Sequence, residues 1–210
     1  MVRNYVKMVA PMLIFPLLTG CMPDTDMEKT MPKQESEAVT VSSKGQGSGW
    51  ATADMYDVQN NKVGTVAFIQ DKDHVRIEAS VKGLAPGHHG FHIHEKGICD
   101  PQSPDGAFMS AGGHFNPTQT VHSNHAGDMP SLYVNKDGTG TFTADFDRMT
   151  AQQIVDQKLA VMIHENPDNF GNIPERYQAG GKPGPDKDTL KTGDAGKRIA
   201  CGIISRENKQ

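Results

Sequence analysis

The chain has 210 residues, with 21 Lys and Arg against 25 Asp and Glu, for a formal net charge of −4. A mildly acidic balance carries no electrostatic footprint for nucleic acid. The N-terminal apolar run is short and broken by Pro11 and Pro16, so it does not predict a spanning helix. Nine histidines and three cysteines are the residues left to explain.

Residues 1–21, "MVRNYVKMVAPMLIFPLLTGC", place Arg3 and Lys7 before an apolar stretch from Met8 to Leu18. This is the layout of an export leader. Its ending "LTGC" resembles a bacterial lipoprotein signal, which implies that Cys21 carries the lipid and becomes the new N-terminus. One lipidated cysteine anchors a chain to a bilayer without crossing it. Loss of Arg3 and Lys7 with the leader would move the balance to −6. Residues 22–48 are charged, poor in apolar side chains and end in Gly and Ser, which predicts a flexible tether. Residues 49–210 are then left for one folded domain. In an exported chain Cys99 and Cys201 are most simply paired as a disulfide.

From Trp50 onward the sequence reads as short strands. "WATADMYDV" is followed by Asn60-Asn61, "VGTVAFIQ" by Asp71-Lys72-Asp73. "HVRIEASVKGL" alternates Val75, Ile77 and Ala79 with Arg76 and Glu78. "HGFHIHE" follows Pro86-Gly87, and "SLYVNKDGTGTFTADF" is a hairpin turning at Asp137-Gly138. "KLAVMIHE" and "RIACGIIS" complete the set, while residues 150–157, "TAQQIVDQ", suit a short helix or a loop equally. About eight strands and two insertions, residues 96–130 and 165–197, predict an all-β fold: an eight-stranded antiparallel Greek-key barrel or sandwich with two long functional loops. Loops of that length are usually functional or tied down.

The histidines supply the ties. On a strand, "HGFHIHE" puts Phe91 and Ile93 on one face and His92 and His94 on the other. "GGHFNPTQTVHSNHAGD" adds His114, His122, His125 and Asp128, and "MIHENPD" adds His164 at a strand end. Neutral imidazoles suit copper and zinc, and a carboxylate suits zinc better than copper. Seven candidate ligands exceed one four-coordinate site and suggest two metals sharing a ligand. His89 sides with Phe91 and reads as structural, whereas His74 and His88 read as solvated.

The motifs "GFHIHE", "AGGHFNP", "HAGDMPSL", "IHENPDN" and "GDAGKRIACGII", in that order, resemble copper/zinc superoxide dismutase in its exported bacterial form. The resemblance covers Trp50 to Ser205. It implies that His92, His94 and His164 hold copper together with His114, which bridges to zinc. His122, His125 and Asp128 would complete the zinc set. Asp168 would link His92 and His122 from behind, as outer carboxylates orient ligating rings. Cys99–Cys201 would be the family's disulfide. Arg198 would be its active-site arginine, with Lys197 the nearest competitor.

The implied reaction is disproportionation of superoxide anion to oxygen and hydrogen peroxide, with His114 carrying a proton to the forming peroxide. The second insertion corresponds to the family's guiding loop. It mixes Lys182, Lys187, Lys191 and Lys197 with Asp168, Glu175, Asp186, Asp188 and Asp194, so its net pull on an anion is not set by composition. Two other classes compete with the enzyme: a copper or zinc storage or delivery module, and an adhesive surface lipoprotein. The complete ligand set favours the enzyme; metal analysis with a superoxide assay separates all three. The partners expected are superoxide and, through lipid on Cys21, a bilayer facing the outside or the periplasm. Monomer and homodimer are both compatible with the sequence.

Overall fold

Alternation of apolar and polar residues produces the first three strands. β1 (Ala51–Asp57) buries Ala51, Ala53 and Met55. β2 (Lys62–Asp71) buries Val63, Val66 and Phe68. The change of parity between Val63 and Val66 has a visible cause. Tyr56 pairs with Lys62 and Met55 with Gly64, leaving Val63 as an extra residue at a bulge. β3 (His74–Val81) buries Val75, Ile77, Ala79 and Val81, as its sequence pattern requires. The computed structural model describes residues 50–206. The expected leader, the lipidation site Cys21 and the tether of residues 22–48 lie outside the described residues.

Further along are β4 (Gly87–His89), β5 (Phe91–His94), β6 (Leu132–Val134), β7 (Gly140–Phe146), β8 (Ala160–His164), β9 (Gln178–Ala179), β10 (Lys182–Pro183), β11 (Arg198–Ile203) and β12 (Ser205–Arg206). The main sheet runs β5-β8-β11-β1-β2-β3-β7, with β12 paired to β1, and every pairing is antiparallel. The chain crosses from β3 to β4 and β5, and again from β7 to β8, which is the Greek-key connection expected. The sheet is curled on itself, since Phe91 on one end strand meets Phe142 on the other edge-to-face at 5.2 Å. Between these ends lies the β4–β6 ladder. Phe68, Phe91, Ile77, Ile93, Leu132 and Ile163 fill the interior.

Residues 150–157, compatible with helix or loop, form helix α1 (Ala151–Asp156). Thr150 decides it: its hydroxyl accepts from the Gln153 amide, and the Gln153 side chain accepts from the Thr150 amide. Inside the second insertion a single helical turn, α2 (Thr189–Thr192), precedes β11. His88 is exposed against Tyr133, as expected. His74 is not fully solvated: it is half-buried, with Nε2 3.6 Å from Asp145 and 3.8 Å from Asp71. Pairing of the β2–β3 turn with the end of β7 brings these side chains together.

Cys99 and Cys201 are bonded across a sequence separation of 102. The bond pins the first insertion to β11 and walls a second small apolar cluster of Phe108, Ala111, Ala160 and Met162. Cross-linking a loop of this length removes denatured-state entropy worth about 4–5 kcal/mol. Reduction should therefore lower the denaturant midpoint by a margin of that order, and peptide mapping of unreduced protein should find no free thiol at either position. An unchanged midpoint after complete reduction would refute the stabilising role.

Candidate metal centre

Three elements carry the seven predicted ligands. β5 presents His92 and His94 on one face while Phe91 and Ile93 point into the core, so all four residues are buried. β8 ends on His164. The loop of residues 112–128 is stitched along the free edge of β5. The Ile93 amide donates to Gly127 O at 2.9 Å, Phe115 donates to Ile93 O at 2.8 Å, and Glu95 donates to Gly113 O at 3.0 Å. His114 thereby lies opposite His94, and Asp128 opposite His92. Gly127 is required by this close approach, because a Cβ there would overlap Ile93 O.

The side chains gather into two groups that share His114. His92, His94, His114 and His164 form one; His114, His122, His125 and Asp128 form the other. In each, the ligand atoms all lie within 4.8 Å of one another. All seven residues are buried.

The outer nitrogens of the rings are tied to groups that only accept. His94 Nδ1 donates to Gly112 O at 3.0 Å and His164 Nδ1 to Gly196 O at 3.2 Å. His92 Nε2 donates to Asp168 Oδ2 at 2.6 Å, and His122 Nε2 to Asp168 Oδ1 at 2.8 Å. A neutral imidazole with one nitrogen donating keeps its lone pair on the other. Those lone pairs point inward. His94 Nε2 and His164 Nε2 face each other at 3.4 Å, the buried Nδ1 of His92 has no hydrogen-bond partner, and His122 Nδ1 lies 3.2 Å from Asp128 Oδ2. Buried unpaired acceptors are costly, and converging lone pairs repel. A soft or borderline cation bound by nitrogen removes both penalties, so the donor set fits copper and zinc.

Electrostatics point the same way. Burial drives His92 down to about 4 and holds His94 and His164 well below the usual histidine value, so these rings are neutral and ready to ligate. Burial opposes charge on His122 too, but hydrogen bonds to Asp128 and Asp168 overcome it and raise the ring to about 9. Against the same burial, hydrogen bonds from His114 and His122 hold Asp128 well below the carboxylate range. His122 and His92 do so for Asp168. The second cluster thus demands positive charge, as a site with a carboxylate ligand should.

Asp168 receives both His92 and His122, as its position in "NPDN" implied by resemblance. Gly193, in the left-handed region at φ 60°, passes directly beneath: a Cβ there would overlap Asp168 Oδ1 and His122 Nε2. His89, read as structural, is buried, with its ring nitrogens 2.7 Å from His164 O and 2.8 Å from Ala85 O. It buttresses a ligand without joining either cluster.

Arg198 sits opposite His164, and Ile199 is the extra residue of a bulge immediately after it. The bulge re-aims the strand end beside the site. Arg198 donates to Phe108 O and Gly112 O, both at 2.6 Å, and lines a cavity of about 720 Å³ with His114, His164, Glu95, Lys191 and Asp194. Lys197 is exposed and does not line it. Sequence reasoning missed the carbonyl partners of Arg198, His94 and His164, because backbone oxygens have no sequence signature. It also missed Phe108, whose φ of 60° is unusual for a non-glycine residue.

Replacing Asp168 by Asn leaves one good acceptor for two ring N–H groups. Asp168→Asn should weaken binding at both clusters by about 10–100-fold. Chelator competition on the loaded protein measures it, and unchanged affinity at both would remove Asp168 from the ring-orienting role.

The copper/zinc superoxide dismutase family model matches residues 62–204. A superoxide dismutase [Cu-Zn] of Mycolicibacterium paratuberculosis is 48% identical over 140 residues, covering 62% of this chain and 62% of that protein. One of Mycobacterium tuberculosis is 39% identical over 170 residues, covering 75% and 71%. The chain thus spans about two thirds of these relatives. The crystal structure of the clock protein EA4 superimposes with a TM-score of 0.59 at 28% identity, covering 75% of this chain and 94% of that one.

Proposed function

Because the chain belongs to the copper/zinc superoxide dismutase family, we propose that its folded part disproportionates superoxide. Two superoxide anions and two protons give one dioxygen and one hydrogen peroxide. The observation that carries this reading is the pair of buried ligand clusters meeting at His114, each complete, with lone pairs converging inside. A storage or adhesive role would leave unexplained both the shared ring and the cavity that opens on it.

His92, His94, His114 and His164 would hold copper, and His114, His122, His125 and Asp128 would hold zinc. Bound copper supplies a one-electron couple, while zinc supplies charge and order without redox chemistry. His114 is the ring placed to carry the proton, since its Nδ1 faces Asp128 at 2.8 Å and its other edge faces the His92, His94 and His164 group. Asp168 keeps His92 and His122 in register. Arg198, fixed by two carbonyls, offers its cation to an anion in the cavity. Burial lowers its pKa, but guanidinium starts high enough to stay charged.

The enzyme would act outside the cytoplasm, a reading supported by the leader-like residues 1–21 and by the disulfide. Lipid on Cys21 would hold residues 49–210 near the membrane through the tether of residues 22–48. Of monomer and homodimer, the homodimer draws support from exposed Tyr56 and Ile203, which line one surface hollow.

Charge at Arg198 is the direct test of mechanism. Arg198→Glu should lower the second-order rate with superoxide far more than Arg198→Lys, with copper and zinc contents unchanged. The wild-type rate should fall with added salt, since screening cuts the reach of the field to about 8 Å at physiological ionic strength. Pulse radiolysis reads both, and a fully metallated Arg198→Glu protein at wild-type rate would eliminate the role. Anchoring is tested separately. Cys21→Ser should move the protein from the detergent to the aqueous phase, or stall it as precursor, with activity retained; wild-type protein already in the aqueous phase with an unmodified Cys21 would refute lipidation.

A further inference from the structure

The loop that carries His122, His125 and Asp128 is held from outside by a residue that belongs to neither cluster. Arg148 lies between β7 and α1, and both its flanks are anchored: Phe146 and Met149 are buried, and Thr150 caps α1. From this mount its Nη1 donates to Ser123 O at 2.9 Å and to His125 O at 3.0 Å. Its guanidinium also lies 5.9 Å from the centre of the Phe146 ring. Among the described residues it has no carboxylate within ion-pair distance. Its directional N–H groups are therefore spent on the loop.

The two carbonyls it takes are the ones that set the loop's path. Ser123 is in the left-handed region at φ 77°, an uncommon conformation for a residue with a side chain. That turn separates His122 from Asn124 and swings His125 back toward Asp128. His125 O accepts a second hydrogen bond from the Asp128 amide at 3.2 Å, and the His125 amide donates to Asp128 Oδ2 at 3.0 Å. His122 is fixed at its ring by Asp168, whereas His125 has no such carboxylate behind it.

We infer that Arg148 is a positioning residue for zinc: it clamps the backbone of residues 123–125 and so presents His125 to the ion. The inference rests on zinc occupying the His114, His122, His125 and Asp128 cluster. The release of zinc to a chromogenic chelator, measured on the fully copper- and zinc-loaded protein, tests it. Arg148→Ala should release zinc about tenfold faster, near the lower end of what loss of an outer partner costs. Arg148→Lys should recover part of the difference, because one ammonium reaches one carbonyl. Freshly loaded Arg148→Ala should dismutate superoxide within twofold of wild type, since neither Arg198 nor the His92, His94 and His164 group is touched.

Arg76→Ala is the control for a general loss of stability. It removes an arginine bound to Asp71 and Asp145 where β3 pairs with the end of β7, beside the mount of Arg148 but with no hydrogen bond to the loop, and should leave zinc release unchanged. Equal acceleration in Arg76→Ala, or none in Arg148→Ala, overturns the clamp while leaving the zinc reading intact. A wild-type protein that takes up copper but no zinc overturns both.

Discussion

One buried carboxylate, Asp168, holds two imidazoles that arrive from opposite directions. His92 comes from the end strand of the sheet, and His122 from a loop that carries almost no regular structure. Neither cluster is in register with the other unless both rings accept the same anchor. Charge-assisted hydrogen bonds of 2.6 and 2.8 Å in a dry interior are strong and directional. The rest of the site follows from that constraint. Gly193 must lack a Cβ to pass beneath it, α2 must end there, and β11 must begin where Arg198 can reach the cavity.

The same arrangement loads the metal-free protein with opposing titrations. His92, buried and depressed to about 4, is neutral when folded; below its unfolded value near 6.5 the unfolded chain binds the proton better, so stability falls as pH drops through that window. His122, raised to about 9, contributes stability that is present below about 6.5 and is lost as pH rises through 9. The two windows abut near pH 6.5, so the metal-free pair is best satisfied there and loses stability on either side.

Much of this was legible in the residues. The alternation in "HVRIEASV" and "FHIH" fixed which side chains face the core, because a half-buried sheet gives period two little room for error. The two side-chain clusters were legible because histidine and aspartate in those spacings have few other uses, and the Asp168 contact with His92 and His122 was expected only through the resemblance. What escaped was backbone. The bulges at Val63 and Ile199, the left-handed Phe108 and Ser123, and the carbonyls that accept from Arg198 and Arg148 depend on the path of the chain, not on side-chain type. His74 escaped for a related reason: its carboxylate neighbours Asp71 and Asp145 lie on different strands and meet only when the sheet pairs.

Rigid and irregular parts divide the work. β5 and β8 place three imidazoles on a sheet whose interior tolerates little change in volume. The loop contributes ligands that a flat strand could not aim at the same point, at the cost of a path with few ladder hydrogen bonds of its own. Three outside ties offset that weakness: the edge of β5 along residues 112–128, the disulfide at Cys99, and the Asp168 anchor. Arg198 is bound where the first two meet. Its two carbonyl partners, Phe108 and Gly112, sit one beside the disulfide cluster and the other at the start of the stitched loop. The position of the cation at the cavity is therefore set by the same ties that hold the ligands, and loosening the loop should disturb the guanidinium before it disturbs the sheet.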